Sequence, residues 1–364
     1  MNGTGIRTRS ARSDVIKSGL VENRAVDQRS PAVSFPKERR TAVAARGAFR
    51  SGPSGSMSRM VEMSKVREQA AVLVLSEATA GPWQRTARVV QAARGALRLV
   101  DGDLTGLDED DHAHAAEVVA RLRGGDLARA EALIAAARAE GAHLVTVLDE
   151  EYPGNLDFVH DLPPVLWVRG LLLDEDHRSI AVVGEHSADG PSIDRVRHEV
   201  RALAQAGLTL VADLRPGIGP VAHATALAAG GRTIATLAQG ITVPVAPENT
   251  TLAKEIAHGG ALVSPFRPLE ATTPRTVSLS RTVTSGLAAA VYIVDGEEDG
   301  GAARQARTAL SQGRRLFVPH RLHEEQPWVR RVAHRGGITV VRDIDDLLTQ
   351  VVNLVDVTRH LQSF

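Results

Sequence analysis

From residue 143 onward the chain alternates two periods, and that alternation constrains its fold more than any other feature. Short β-branched runs occur at HLVTVLD, PVLWVRG, SIAVVGE, LTLVAD, RTIATLAQG, GALVS, AVYIVDG, RLFVPH and GITVVRD. Between most of them lie helical stretches, notably 191–206, 220–230, 301–313 and 326–335. Near-continuous apolar strands separated by helices predict a largely parallel sheet covered on both faces. The fold class is therefore α/β: an extended, Rossmann-like, doubly wound and mostly parallel sheet over 143–350. Ligands in such sheets sit at the carboxyl ends of the strands. Residues 351–364 read as a short C-terminal tail.

Upstream the period is helical. REQAAVLVLSEA, WQRTARVVQAARGALRLV, AHAAEVVARLR and LARAEALIAAARAEG each place apolar residues at i, i+3, i+4 and i+7. Breaks at AGPW, DGDLTGLDEDD and GGD separate them, so 61–142 reads as a small helical domain laid out like a sterile-alpha-motif or helix-hairpin module. Residues 1–60 show neither period and read as a disordered basic tail, with twelve Arg/Lys against four Asp/Glu. They are acid-poor like a transit peptide but lack a convincing amphipathic helix. Translation starting at Met57, Met60 or Met63 is an equal reading of that segment.

The formal net charge of the whole chain is zero, so the remainder is net acidic by eight. A folded nucleic-acid binder usually shows the opposite sign. Only four of 43 basic residues are lysine, so the arginine content reflects composition more than a DNA surface. Eleven aromatics limit any base-stacking platform. The absence of cysteine excludes disulfides and Cys-ligated zinc and fits a cytoplasmic location. No 18-residue apolar run predicts a membrane span.

The chemistry concentrates after the strands. In LTLVADLRPGIGPVAHAT (208–225), an apolar strand ends in a glycine turn that opens a helix. Gly217 and Gly219 there either present free N–H groups to an anion or simply permit a tight turn. Pro216 and Pro220 each remove one donor. His223, in the first turn, is either a pH-sensitive donor or a packed core residue. Gly300 and Gly301 repeat the strand–loop–helix geometry, but the acids of DGEEDGG disfavour phosphate there and would better suit a cation. Arg275 and Arg281 lie in a polar approach to a helix, where phosphate-positioning residues are expected. DEDDHAH (108–114) and PHRLHEEQ (319–326) contain metal-ligand types, yet acids opening a helix are explained by its dipole. No Gly-x-Gly-x-x-Gly, Walker or Gly-x-Ser-x-Gly pattern occurs, which argues against NAD, ATP and hydrolase chemistry in their usual modes. No metal site, cofactor or catalytic residue is assigned.

The segment YPGNLDFVHDLPPVLWVRGLL (152–172), followed by SIAVVGEHSADG, resembles the DprA/Smf family of DNA-processing proteins. The likeness continues through GIGPVAHATALAAGGRTIATLAQGI, APENTTLAKEIAHGGALVSPF and LAAAVYIVDG to ALSQGRRLFVPH, covering about residues 65 to 345. The resemblance implies a Rossmann domain that binds single-stranded DNA, forms a homodimer and helps load a RecA-type recombinase during DNA uptake, with no catalytic reaction. Its polar motifs are poorly kept. The family's Gly-Ser/Thr-Arg becomes Gly184-Glu185-His186, which sets a carboxylate where a phosphate would sit. In the Gly-rich turn Gly217, Ile218, Ala222 and His223 match, whereas the hydroxyl, first glycine, arginine and acid do not; Arg215 lies one place from the lost arginine. The Arg-Asn-Arg cluster reduces to Arg281 with Arg275 upstream, and Pro-Gly-Ser becomes Pro319-His320-Arg321.

The leading expectation is a non-catalytic single-stranded-DNA binder that contacts phosphates through Gly184, Arg215, Gly217, Gly219, His223, Arg275, Arg281, Gly300 and Gly301. Alternatives are a nucleotide-binding Rossmann protein, without the Pro-Gly-Gly-x-Gly-Thr signature of related nucleotide-cleaving families, and a scaffold that has lost DNA binding.

Overall fold

The computed structural model describes residues 54–185, 190–334 and 336–362. Most of the segment read as a tail, residues 1–53, lies outside the described residues, as does His186. Five helices come first: α1 (Ser54–Ala78), α2 (Trp83–Ala93), α3 (Leu97–Val100), α4 (Glu109–Val119) and α5 (Asp126–Ala139). The long WQRTARVVQAARGALRLV stretch is split because Arg94 turns left-handed, φ 52°, and closes α2 before α3 begins.

The strands are β1 (His143–Thr146), β2 (Val165–Gly170), β3 (Ser179–Val183), β4 (Thr209–Asp213), β5 (Thr233–Thr236), β6 (Ala261–Ser264), β7 (Ala290–Ile293), β8 (Arg315–Pro319) and β9 (Ile338–Val341). Each falls inside one of the nine β-branched runs. They form one sheet in the order β1-β2-β6-β5-β4-β3-β7-β8-β9. The β1–β2 and β2–β6 pairs are antiparallel, and the six others are parallel. Interleaved helices are α6 (Gly154–Asp157), α7 (Gly190–Gln205), α8 (Ile218–Ala228), α9 (Thr250–Gly259), α10 (Pro274–Leu287), α11 (Gly301–Ser311), α12 (His320–Glu325), α13 (Pro327–Ala333) and α14 (Ile344–Gln362).

Side-chain alternation along the strands divides the core between the two faces. Ile180 and Val182 of β3, with Tyr292 of β7, pack against α7, α8 and α14 through Val196, Leu203, Ala222 and Val351. Ala181 and Val291 point to the other face, where Val283 and Leu287 of α10 and Ala302 and Ala306 of α11 cover them. The same cluster runs on without a break into the helical layer, through Trp167 and Leu144 to Leu73, Val90, Leu99 and Ile134. None of the helices among the described residues is long and apolar enough to cross a membrane.

Two stretches differ from the sequence reading. Residues 274–287 are α10 itself rather than a loop leading to a helix. Despite its Ser/Thr/Val content, Pro274 sits in the first turn, and Thr273 Oγ1 accepts from the Thr276 N–H at 3.1 Å. Its buried Thr276, Ser280, Val283 and Leu287 then make a stripe at helical spacing. Residues read as the C-terminal tail continue α14, because Leu347, Val351 and Val355 recur every fourth position and are fully buried.

Candidate functional site

The chain leaves β3 toward β4 on one side and later returns to β7 on the other, so a crevice opens beyond the carboxyl ends of β3 and β7. Gly184, Asp213, Arg215, Gly219, Arg281, Thr284, Gly301 and Gln305 line it together with apolar residues. Five residues expected from the sequence, Gly184, Arg215, Gly219, Arg281 and Gly301, therefore meet here. The enclosed space is about 20 Å³, room for about one water molecule.

The β4–α8 turn is tight for a steric reason. Gly217 caps α8 at φ 114°, a region closed to most side chains. A Cβ on Gly219 would lie 2.1 Å from the Asp213 carbonyl oxygen and 2.8 Å from its Oδ1. The start of α8 is thus pressed against the end of β4. Arg215 folds back over this turn and donates through Nε to Asp213 Oδ2 at 2.9 Å, with a second bond from Nη2.

Arg281 differs from Arg215 in having no partner among the described residues. It projects from α10, half-buried, and its guanidinium makes no ion pair or hydrogen bond among the described residues. Its backbone carbonyl is held by Gln305 Nε2 at 2.8 Å and Ser285 Oγ at 2.9 Å, which fixes α10 against α11. Burial lowers its pKa, and the nearby cations Arg215, Arg304 and Arg307 lower it further, while Asp213 opposes them. Four guanidiniums share this corner, so an anion here would relieve their mutual repulsion.

The glycines at the start of α11 serve a different occupant. The Glu185 backbone N–H donates to Asp295 Oδ1 at 2.8 Å, which holds the residue at the crevice. Its carboxylate Oε1 then accepts from the Ala302 N–H at 3.4 Å. A Cβ on Gly300 would stand 2.0 Å from that oxygen. The helix N-terminus, which favours negative charge, is filled by the protein's own carboxylate. Gly300 therefore makes room for Glu185 rather than leaving an open cradle.

Two expected residues are placed elsewhere. His223 is fully buried, and its Nδ1 meets Thr233 Oγ1 of β5 at 2.6 Å. Burial pulls its pKa down to about 4, so the ring is neutral near pH 7 and belongs to the core. Arg275 lies on α10 six residues before Arg281, which turns it to another side of the helix. It borders a groove with Trp83, Phe266, Arg267 and Leu269.

The two stretches with metal-ligand types have structural duties. Asp108 caps α4, accepting from the Asp111 N–H at 2.8 Å, and His114 meets Thr86 at 3.1 Å. His320 and Glu324 form an i,i+4 pair on α12. Sequence reasoning missed Thr284 and Gln305, which line the crevice, and Arg304 and Arg307, whose charges act on Arg281 from α11. The only signal for them was helical spacing from Arg281 on α10 and from Gly301 on α11.

A family model described as DNA recombination-mediator protein A matches residues 143–352. The DNA processing protein DprA of Bacillus subtilis is 30% identical over 187 residues, covering 51% of this chain and 63% of that protein. Protein Smf of Escherichia coli is 36% identical over 181 residues, 48% of this chain and 47% of that protein. The chain thus spans only part of the length of these curated relatives. Among solved structures, DprA from Streptococcus pneumoniae aligns with a TM-score of 0.62 at 21% identity, over 77% of this chain and 97% of that one. DNA processing protein A from Helicobacter pylori, described for its unique single-stranded DNA binding mode, aligns at 0.51 and 19%, over 58% and 96%. At these identities the two structures show a shared fold. The matched segment takes in all nine strands and more than half of the chain, and the chain belongs to the DNA recombination-mediator protein A family, the DprA/Smf DNA-processing proteins.

Proposed function

We propose that the protein binds single-stranded DNA without catalysing a reaction on it, with the sugar–phosphate backbone passing over the mouth of the β3/β7 crevice. The observation that carries this reading is Arg281: a half-buried guanidinium with no hydrogen-bond or ion-pair partner among the described residues, set among Arg215, Arg304 and Arg307. A phosphate supplies the missing acceptor and the missing negative charge. The single-stranded DNA binding named for the Helicobacter pylori relative supports the same ligand class. We extend the proposal, on family resemblance, to a cytoplasmic homodimer that loads a RecA-type recombinase. A nucleotide held inside the crevice is disfavoured, because a cavity of about 20 Å³ is far below the several hundred Å³ such ligands occupy.

One observation favours a second reading, a scaffold that has given up DNA. Glu185 occupies the helix N-terminus where an anion would bind. Fluorescence anisotropy of a labelled oligo-dT, titrated with the full chain at two salt concentrations, decides between them. Binding that saturates and weakens steeply with salt supports the first reading; absence of binding at low salt selects the second. Arg281→Ala should weaken the affinity by about tenfold, as for loss of a charge-assisted bond. It should also flatten the log–log salt slope by about 0.7, the share of one single-strand phosphate. An unchanged affinity and slope would remove Arg281 from the interface.

A further inference from the structure

Two open hollows at the helical layer lie outside the crevice and share a wall. The first, of about 540 Å³, gathers four guanidiniums, those of Arg121, Arg123, Arg129 and Arg267, over an apolar floor that includes Val74 and Leu133. The second, of about 640 Å³, is the groove bordered by Trp83, Phe266 and Leu269. Arg267 and Glu77 line both, so one molecule can reach from the first into the second. Each volume falls in the range of small-molecule sites.

The first hollow is short of negative charge. Arg129 pairs with Asp126 three residues away, Arg121 with Glu117 four residues away, and Arg267 with Glu77 at 2.7 Å. All three arginines are more than a third exposed, and such surface pairs are worth little, so a multiply charged anion displaces the carboxylates at small cost. Arg123 has no carboxylate to give up. Its backbone N–H donates to Asp126 at 2.7 Å, but its guanidinium makes no ion pair or hydrogen bond among the described residues. Guanidinium forks match phosphate oxygens. Four of them around one hollow suit several phosphates on one molecule better than a DNA strand, which brings one charge per nucleotide.

The second hollow offers the complementary chemistry. The Trp83 indole is held in place by its Nε1, which donates to the Asp161 carbonyl at 3.0 Å. Leu269 at the same groove is 78% exposed, more than any other large apolar side chain among the described residues. A fixed aromatic ring beside uncovered apolar surface suits a nucleobase. We infer that the two hollows together form a site for a nucleoside polyphosphate, its phosphates among Arg121, Arg123 and Arg129, its base against Trp83, and Arg267 between them. The site shares no lining residue with the β3/β7 crevice, so it stands whether or not DNA binds at Arg281.

Calorimetric titration of the full chain with ATP, at low salt and with EDTA to keep it metal-free, tests the inference. Expected is one site per chain, with ATP bound about tenfold more tightly than inorganic triphosphate, because only ATP brings a base to Trp83. Arg123→Gln should weaken ATP binding about tenfold, as for loss of one charge-assisted bond. Its melting temperature should match that of the parent, since this guanidinium holds no other group of the described residues. Trp83→Leu should bring ATP down toward triphosphate and leave triphosphate where it was, and thermal melting of this variant separates loss of the site from loss of the fold. Absence of heat with ATP, equal affinities for ATP and triphosphate in the parent, or undiminished ATP affinity in Arg123→Gln would overturn the inference. So would a loss of oligo-dT affinity in Arg123→Gln together with failure of ATP to compete with oligo-dT, which would give the hollow to the DNA strand.

Discussion

Glu199 and His223 are buried on the same side of the sheet and titrate in opposite senses. Glu199 is raised from 4.5 to about 7, so the stability it contributes is full below about pH 4.5 and is lost as pH rises toward 7. His223 is depressed from 6.5 to about 4, so its contribution is full above about pH 6.5 and is lost as pH falls toward 4. Each shift corresponds to roughly 3 kcal/mol, and the two nearly offset between pH 4.5 and 6.5. Glu199→Gln keeps the shape and removes one of the two slopes. The variant should gain up to about 3 kcal/mol over the parent at pH 8 and lose stability steeply from pH 6.5 to 4.5. Urea unfolding at pH 5, 6.5 and 8 measures both effects. Parallel pH profiles for the two proteins would refute the assignment. Neither residue could be given its state from sequence. His223 reads alike as a donor at a helix start or as core, and only its contact with Thr233 decides.

Helix termini, the next scale, explain why the site was only partly legible. All nine strands were visible, because continuous β-branched runs between helices have few other uses. The Gly217–Gly219 turn was visible for the same reason. α10 was not, since Ser, Thr and Val carry weak helix propensity, and its Thr273 cap and buried stripe act through tertiary contacts. Arg281 was thus placed in a loop, although the helix is what holds it beside Arg215 and α11. At the N-terminus of α11 the sequence showed two glycines and a nearby run of acids. Glu185, more than a hundred positions earlier, turned out to be the acid that matters. Its carboxylate stands in for the anion that this helix end attracts, so Glu185→Ser should open the position and remove a negative charge from the start of α11. We expect oligo-dT affinity to rise roughly threefold to tenfold, in the upper range for a helix-dipole contact. Equal or weaker anisotropy titrations for the variant would mean that Glu185 supports the crevice instead of blocking it.

Over the whole molecule, the break in periodicity near residue 142 is a change of secondary structure and not a gap in packing. Sequence patterning sees the first and has no access to the second. Leu73, Val90, Leu99 and Ile134 from the helices belong to the same buried cluster as Leu144, Trp167 and Val263 from the sheet. Polar ties cross the same boundary: Gln69 Nε2 donates to the Leu144 carbonyl at 2.9 Å, and Trp83 Nε1 to the Asp161 carbonyl at 3.0 Å. Fully burying each Leu, Ile or Val is worth about 1.5–3 kcal/mol, so separating the layers would cost more than a domain of this size usually has to spare. Residues 54–142 should then unfold together with the sheet. The three tryptophans report this directly, because Trp83 lies in the helical layer, Trp167 in β2 and Trp328 on α13 at the opposite edge. In a Trp167→Phe background, one variant keeps Trp83 as the sole indole and the other keeps Trp328. Their normalised urea curves should coincide, as cooperative unfolding requires. A Trp83 transition at lower urea than that of Trp328 would instead make the helical layer a separate folding unit. The β3/β7 crevice would then depend on the sheet alone.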